Sequence, residues 1–84
     1  MTHRETGPDA MRVPPDVHEG LEAVRLSGLT NMLDRPAVAR IADAMGYEAC
    51  ARWVRDYRDL YARGVFRGFA ADGDGEEVAH AHHA

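Results

Sequence analysis

The spacing of helix breakers and helix starters constrains this chain more than any other feature. Pro14-Pro15, Gly28, the Asp34-Arg35-Pro36 run, Gly46 and Gly64 divide it into stretches each the length of a short helix. In the first stretch Val17, Leu21 and Val24 fall on one face at the helical period, and Asp16 with Glu19 has the form of a capping box. Gly28 followed by Leu29 has the form of a Schellman stop. Gly20 sits inside this helix at a cost of roughly 1 kcal/mol relative to alanine, either simply tolerated or placed there for the close approach of another helix.

The second stretch gives the clearest helix. Asp34 is a natural cap, Pro36 sits in the first turn where its missing N–H costs nothing, and Val38, Ile41, Ala42 and Met45 form an i, i+3, i+4, i+7 stripe that Gly46 ends. A third helix is expected over residues 48–63, with Ala49, Cys50, Trp53, Val54, Tyr57, Leu60 and Tyr61 on one side. Arg52, Arg55, Asp56, Arg58 and Asp59 cover its other side, and a break or a short extra turn is expected at residues 64–68. The expected fold class is therefore all-α: a small three-helix domain over residues 14–69. A polar N-terminal arm (1–13) and an acidic, histidine-containing C-terminal tail (70–84) read as disordered, because neither shows a helical period.

A chain of 84 residues has room for one small core, and chains this short commonly need a disulfide, a metal or a partner subunit as support. Cys50 is the single cysteine, so an internal disulfide is excluded and a reducing, cytoplasmic setting is expected. No apolar run approaches the length of a membrane span, and the first nine residues lack the apolar stretch of a signal peptide. His80, His82 and His83 are too few, and in too unstructured a segment, for a closed metal site, so no metal and no cofactor are expected.

The string from Val24 to Asp34, with Ser27-Gly28-Leu29-Thr30-Asn31-Met32-Leu33-Asp34 as its sharpest part, is followed by Val38, Ile41-Ala42, Gly46, Trp53-Val54 and Tyr61. Together these residues resemble a family described as a domain of unknown function, number 5049, over about residues 17–69. The resemblance implies a phage or prophage origin and a location in the host cytoplasm. It implies no activity and no catalytic residues.

Net charge is −4, which argues against a dedicated nucleic-acid binder, yet residues 35–67 hold seven arginines against Asp43, Glu48, Asp56 and Asp59. The pairs Arg52 with Asp56, Arg55 with Asp59, and Asp59 with Arg63 are spaced i, i+4, so a mutually screened helix face is the simpler account of that charge. The helix ending at Gly46 and leading into another resembles a helix-turn-helix. The positions six and nine residues past the glycine should then be aliphatic, but they are Arg52 and Arg55. Cys50, on an apolar face, reads as a small hydrophobe, with spatial approach of His18 left open.

Two groups of residues are candidates for contact with a partner. Thr30, Asn31, Met32 and Asp34 cluster in the connection between the first two helices, where their simplest role is bonding local backbone. Trp53, Tyr57, Tyr61, Phe66 and Phe69 put most of the aromatic surface at one end of a domain too small to hide it, rimmed by Arg52 and Arg55. The expectation is a non-enzymatic, phage-encoded accessory protein that binds a host or phage protein and forms a homodimer, with no membrane contact. The alternative is a small DNA-binding regulator or packaging accessory using a degenerate helix-turn-helix at about 35–63.

Overall fold

Each helix boundary can be traced to the residues that set it. In the computed structural model, which describes residues 10–72, helix α1 (Pro15–Ser27) starts directly on Pro15, with Pro14 extended before it at φ −57° and ψ 149°. The fixed φ of Pro15 starts the helix two residues earlier than a capping box on Asp16 would, so Asp16 lies inside the first turn and caps nothing. Its charge still favours that end of the helix dipole. At the other end Gly28 adopts the left-handed conformation (φ 69°), as its position predicts. The Schellman bond from Leu29 to Val24 is relayed: the Leu29 N–H donates to Ser27 Oγ (3.1 Å), and the Ser27 hydroxyl donates to the Val24 carbonyl (2.6 Å).

Helix α2 (Arg35–Ala44) begins as expected: Asp34 Oδ1 accepts from the Ala37 N–H at 3.2 Å, and Pro36 lies in the first turn. It ends in a three-residue connection in which Gly46 takes φ 93° and the Tyr47 N–H donates back to the Ala42 carbonyl at 2.8 Å. The expected third helix is two helices, α3 (Glu48–Asp56) and α4 (Arg58–Arg67). Tyr57, at φ −114° and ψ 64°, closes the first through its N–H to the Trp53 carbonyl and opens the second by accepting from the Tyr61 N–H, both at 2.9 Å. With its helical bonds kept on both sides, a single residue redirects the chain, and α4 continues through Gly64.

The ends of the described chain correct the sequence reading as well. Met11–Val13 form strand β1 and Phe69–Ala71 form β2, paired in parallel with Met11 opposite Phe69 and Val13 opposite Ala71. The last residues of the supposed arm and the first of the supposed tail are therefore ordered. Val13 and Ala70 are buried, Arg12 points outward, and the Asp72 N–H extends the pairing to the Val13 carbonyl at 2.7 Å. All four helices lie between the two strands, so the pair ties the ends of the fold together.

The core is made of small side chains: Val13, Val17, Val24, Val38, Ala39, Ala42, Cys50, Ala51 and Val54, with Leu21 and Tyr61 the large exceptions. This permits close helix crossings. A Cβ on Gly20 would lie 2.5 Å from Cys50 Cβ, which decides between the two readings of that glycine in favour of close approach by α3. On α2 the buried face is Ala37, Val38, Ala39 and Ala42, whereas Ile41 is half-buried and Met45 is exposed, off the predicted stripe. On α3 Cys50, Ala51 and Val54 face inward and Tyr57 does not. Among the described residues no helix is long and apolar enough to cross a membrane.

A candidate protein-binding face

With small residues filling the core, the larger apolar ones are left outside. Of the five leucines only Leu21 is buried; Leu26, Leu29 and Leu33 are 72%, 66% and 65% exposed. Phe66 is 82% exposed. Scattered surface leucines are ordinary, but three within eight residues around the end of α1, the last of them lining a groove with Phe66, are not.

The connection that carries these leucines is held by its own polar groups. Asn31 Oδ1 accepts from the Leu33 N–H at 2.8 Å, the Asn31 carbonyl accepts from the Asp34 N–H at 2.9 Å, and the Asp34 carboxylate caps α2. The simpler role foreseen for Asn31 and Asp34 is thus the one they perform. Thr30 and Met32 are half-buried beside them. Met32 is tied to α4, because the buried Tyr61 hydroxyl donates to its carbonyl across 29 residues of sequence. Burial, with Cys50 nearby and Asp34 adding to it against the opposing charge of Arg35, pushes the Tyr61 phenol up to about 12. It stays a neutral donor at any ordinary pH.

That bond docks α4 against the connection and creates two open grooves with Val65 and Phe66 between them. One runs toward α1 and is lined by His18, Leu21, Arg25, Met32 and Phe69; the other runs toward the start of α2 and is lined by Leu33, Arg35, Arg58, Tyr61 and Ala62. In the first groove Arg25 is held by Glu22 at 2.6 Å, and that hydrogen bond lowers the carboxyl pKa of Glu22. In the second, neither arginine has an ion-pair partner among the described residues.

The aromatic residues expected to form one exposed surface divide into two sets. Phe69 packs between Trp53 (ring centroids 6.2 Å apart, edge-on) and Tyr61 (5.7 Å), over the bare backbone of Gly64, and Tyr57 leans on Trp53 at 5.6 Å. Tyr61 is 2% exposed, and Trp53 and Phe69 are half-buried, so these three belong to the packing of the domain, while Tyr57 and Phe66 remain outside. The break at Tyr57 also puts Arg55 on α3 and Asp59 on α4, out of i, i+4 helical register. Arg55 instead reaches Asp43 on α2 at 3.6 Å, and none of the three predicted pairs forms among the described residues. Arg52 is exposed on the outer side of α3.

Cys50 is fully buried, and its thiol is pushed up to about 11 by burial and the Asp16 charge, which leaves it unreactive near neutral pH. The described residues bring together no group of three or more His, Cys, Asp or Glu side chains that could hold a metal, and the three histidines of the tail lie outside the described residues. Sequence reasoning missed Leu26, Leu29, Leu33, Arg35 and Arg58. The available signal was a leucine on either side of the Gly28 stop, where a chain that needed them for its core would have placed them within the helix. A profile of the family described as domain of unknown function (DUF5049) matches residues 15–68, and no curated protein and no solved structure matches the chain.

Proposed function

Since the chain belongs to the DUF5049 family, for which no activity is described, we propose from its surface that it acts as an accessory protein, binding another protein without chemistry of its own. The observation that carries this reading is the placement of Phe66, 82% exposed, between two grooves while smaller residues fill the core. An exposed aromatic anchor flanked by grooves and arginines is the kind of surface on which a few residues supply most of the binding energy. The matched loop, residues 27–34, borders the same grooves through Met32 and Leu33. Within this reading the chain is phage-encoded, works in the host cytoplasm, and engages a host or defence factor or a part of the phage machinery. Leu26 and Leu29, exposed and lining neither groove, support self-association, which a clean monomer in sedimentation at high micromolar concentration would remove.

The test compares affinity capture from host cells expressing the wild-type chain or the Phe66→Ser variant at equal levels. One or more proteins retained by the first and lost by the second support the reading; identical capture profiles sink it. The DNA-binding alternative rests on the short α2–α3 connection and the exposed Arg52. Its weakness is that α3 is seated by Cys50, Ala51 and Val54, four, five and eight residues past Gly46. A helix turns about 100° per residue, so this seating rotates the helix well away from the face a helix-turn-helix would bury. Salt-sensitive duplex binding in a gel shift, abolished by replacing Arg52 and Arg55, would restore it.

A further inference from the structure

The two grooves beside Phe66 differ in charge, and that difference bears on what the protein-binding reading leaves open, the chemistry of the partner. On the α1 side the Arg25 guanidinium is engaged by Glu22. On the α2 side Arg35 and Arg58 border an apolar trough of Leu33, Ala62, Val65 and Phe66, with Asp59 the single carboxylate lining it. Arg35 is half-buried, so a carboxylate reaching it is attracted through a poorer dielectric than bulk water provides. Asp34, next in sequence, does not neutralise it, because one of its carboxylate oxygens caps α2 and Arg35 forms no ion pair with it.

Resting on the reading above, we propose that this groove receives an acidic amphipathic segment of the partner protein. Its carboxylates meet Arg35 and Arg58, and an aliphatic or aromatic side chain lies between Leu33 and Phe66. A second copy of this chain is a poorer occupant. A two-fold contact sets a patch against itself, which here opposes two surfaces that each carry two arginines against a single carboxylate. A nucleic-acid backbone would satisfy the arginines but leave the aliphatic wall without a partner.

Fluorescence anisotropy with a labelled synthetic helix of leucine at i, i+3, i+4, i+7 and glutamate elsewhere tests the assignment. Two further probes complete the set, one with every glutamate replaced by lysine and one with every leucine replaced by serine. The Glu/Leu probe should bind at least about tenfold more tightly than either control. The double variant Arg35→Glu, Arg58→Glu should weaken it by a similar factor, as should Phe66→Ser, while Arg52→Glu should leave it unchanged. Both reversals place a glutamate in the first turn of a helix, where the dipole favours it, so the double variant should remain folded, as circular dichroism will check.

Equal or tighter binding of the Lys/Leu probe, indifference to the double reversal, or no saturable binding would overturn the proposal. So would displacement of the probe by duplex DNA in preference to the unlabelled peptide, or a dimer in sedimentation that Phe66→Ser dissolves. Applied to the capture experiment, the double reversal separates the two levels of inference. A protein whose capture needs Phe66 but ignores Arg35 and Arg58 leaves protein binding intact and removes the acidic partner.

Discussion

Two close contacts in this molecule, one between helices and one between a helix and a strand, are built over a glycine, and they differ in what fills the space where a side chain would stand. At Gly20, where α1 meets α3, the space is taken by the Cβ and Sγ of Cys50 and, at 3.0 Å, by the Cβ of Tyr47. The two Cβ atoms are bonded directly to backbone, and Cys50 belongs to the close-packed core cluster of Val, Ala, Leu21 and Tyr61 side chains. At Gly64, in α4, the space is taken by the ring of Phe69, the far end of a side chain that can rotate. The first contact is a rigid seat for the core. The second is a lid of aromatic rings over the end of the fold that carries the candidate binding face.

The sharpest way to break this contrast is Gly20→Ala. The new methyl gains roughly 1 kcal/mol of helix propensity, but it forces α1 and α3 apart, and overpacking against a Cβ at 2.5 Å costs about 3 kcal/mol, the upper end of the usual range. Urea unfolding should show a net loss of about 2 kcal/mol with an unchanged m-value. In a Cys50→Gly background the same substitution should cost much less, because the two closest atoms it strikes are gone and only the Tyr47 Cβ, at 3.0 Å, remains. A loss that persists there would mean that the crossing is set by something other than the two facing residues.

A smaller effect is expected where the aromatic end is tied to the α1–α2 connection. Tyr61→Phe removes the hydroxyl bonded to the Met32 carbonyl and should cost about 1 kcal/mol, the ordinary net worth of such a bond. The same residue gives a pH signature. Because burial raises the folded-state phenol from 10.0 to about 12, the unfolded chain releases its proton first as pH rises. The stability associated with the neutral phenol is therefore complete below pH 10 and is lost as pH climbs toward 12. Cys50 adds a parallel decline between 9.0 and about 11. Tyr61→Phe should flatten the upper part of the alkaline decline and Cys50→Ala the lower; identical profiles in all three proteins would show that neither group is buried in solution as it is here.

Gly64→Ala should cost less still, under about 1 kcal/mol, since the Phe69 ring can swing out and helix propensity repays part of the lost contact. Its mark should be optical: as Phe69 leaves Trp53, the indole is wetted and its emission shifts to the red. A loss as large as that of Gly20→Ala would mean that the aromatic lid is as rigid as the core, and the distinction between the two glycine contacts would fall.

What the sequence disclosed follows the same division between local and distant causes. The stops and starts at Gly28, Asp34, Pro36 and Gly46 were legible because each is set by backbone conformation and bonds within a few residues. The β1–β2 pair was not, since it joins residues 58 apart in sequence (Met11 with Phe69), and three-residue strands leave almost no pattern. Nor was the break at Tyr57, which has no proline or glycine to announce it. That break hid the site as well. An unbroken α3 would have kept Arg55 in register with Asp59, whereas the redirected α4 lets Tyr61 reach Met32 and leaves Phe66 outside.

The last substitution should barely affect stability and so sharpens the comparison most. Phe66→Ser exchanges a large apolar side chain for a small polar one at a position 82% exposed, where the folded state makes little use of the ring. Surface changes of this kind stay within about 0.5 kcal/mol. If thermal unfolding is unmoved while partner capture is lost, Phe66 serves recognition, and the rings beneath it, Phe69 and Tyr61, serve the fold. A loss of stability beyond that range would instead mean that Phe66 is covered in solution, by a neighbouring segment or a second copy. Repeating the melt over a range of protein concentrations distinguishes these, because only contact between copies makes the midpoint of the wild-type chain rise with concentration.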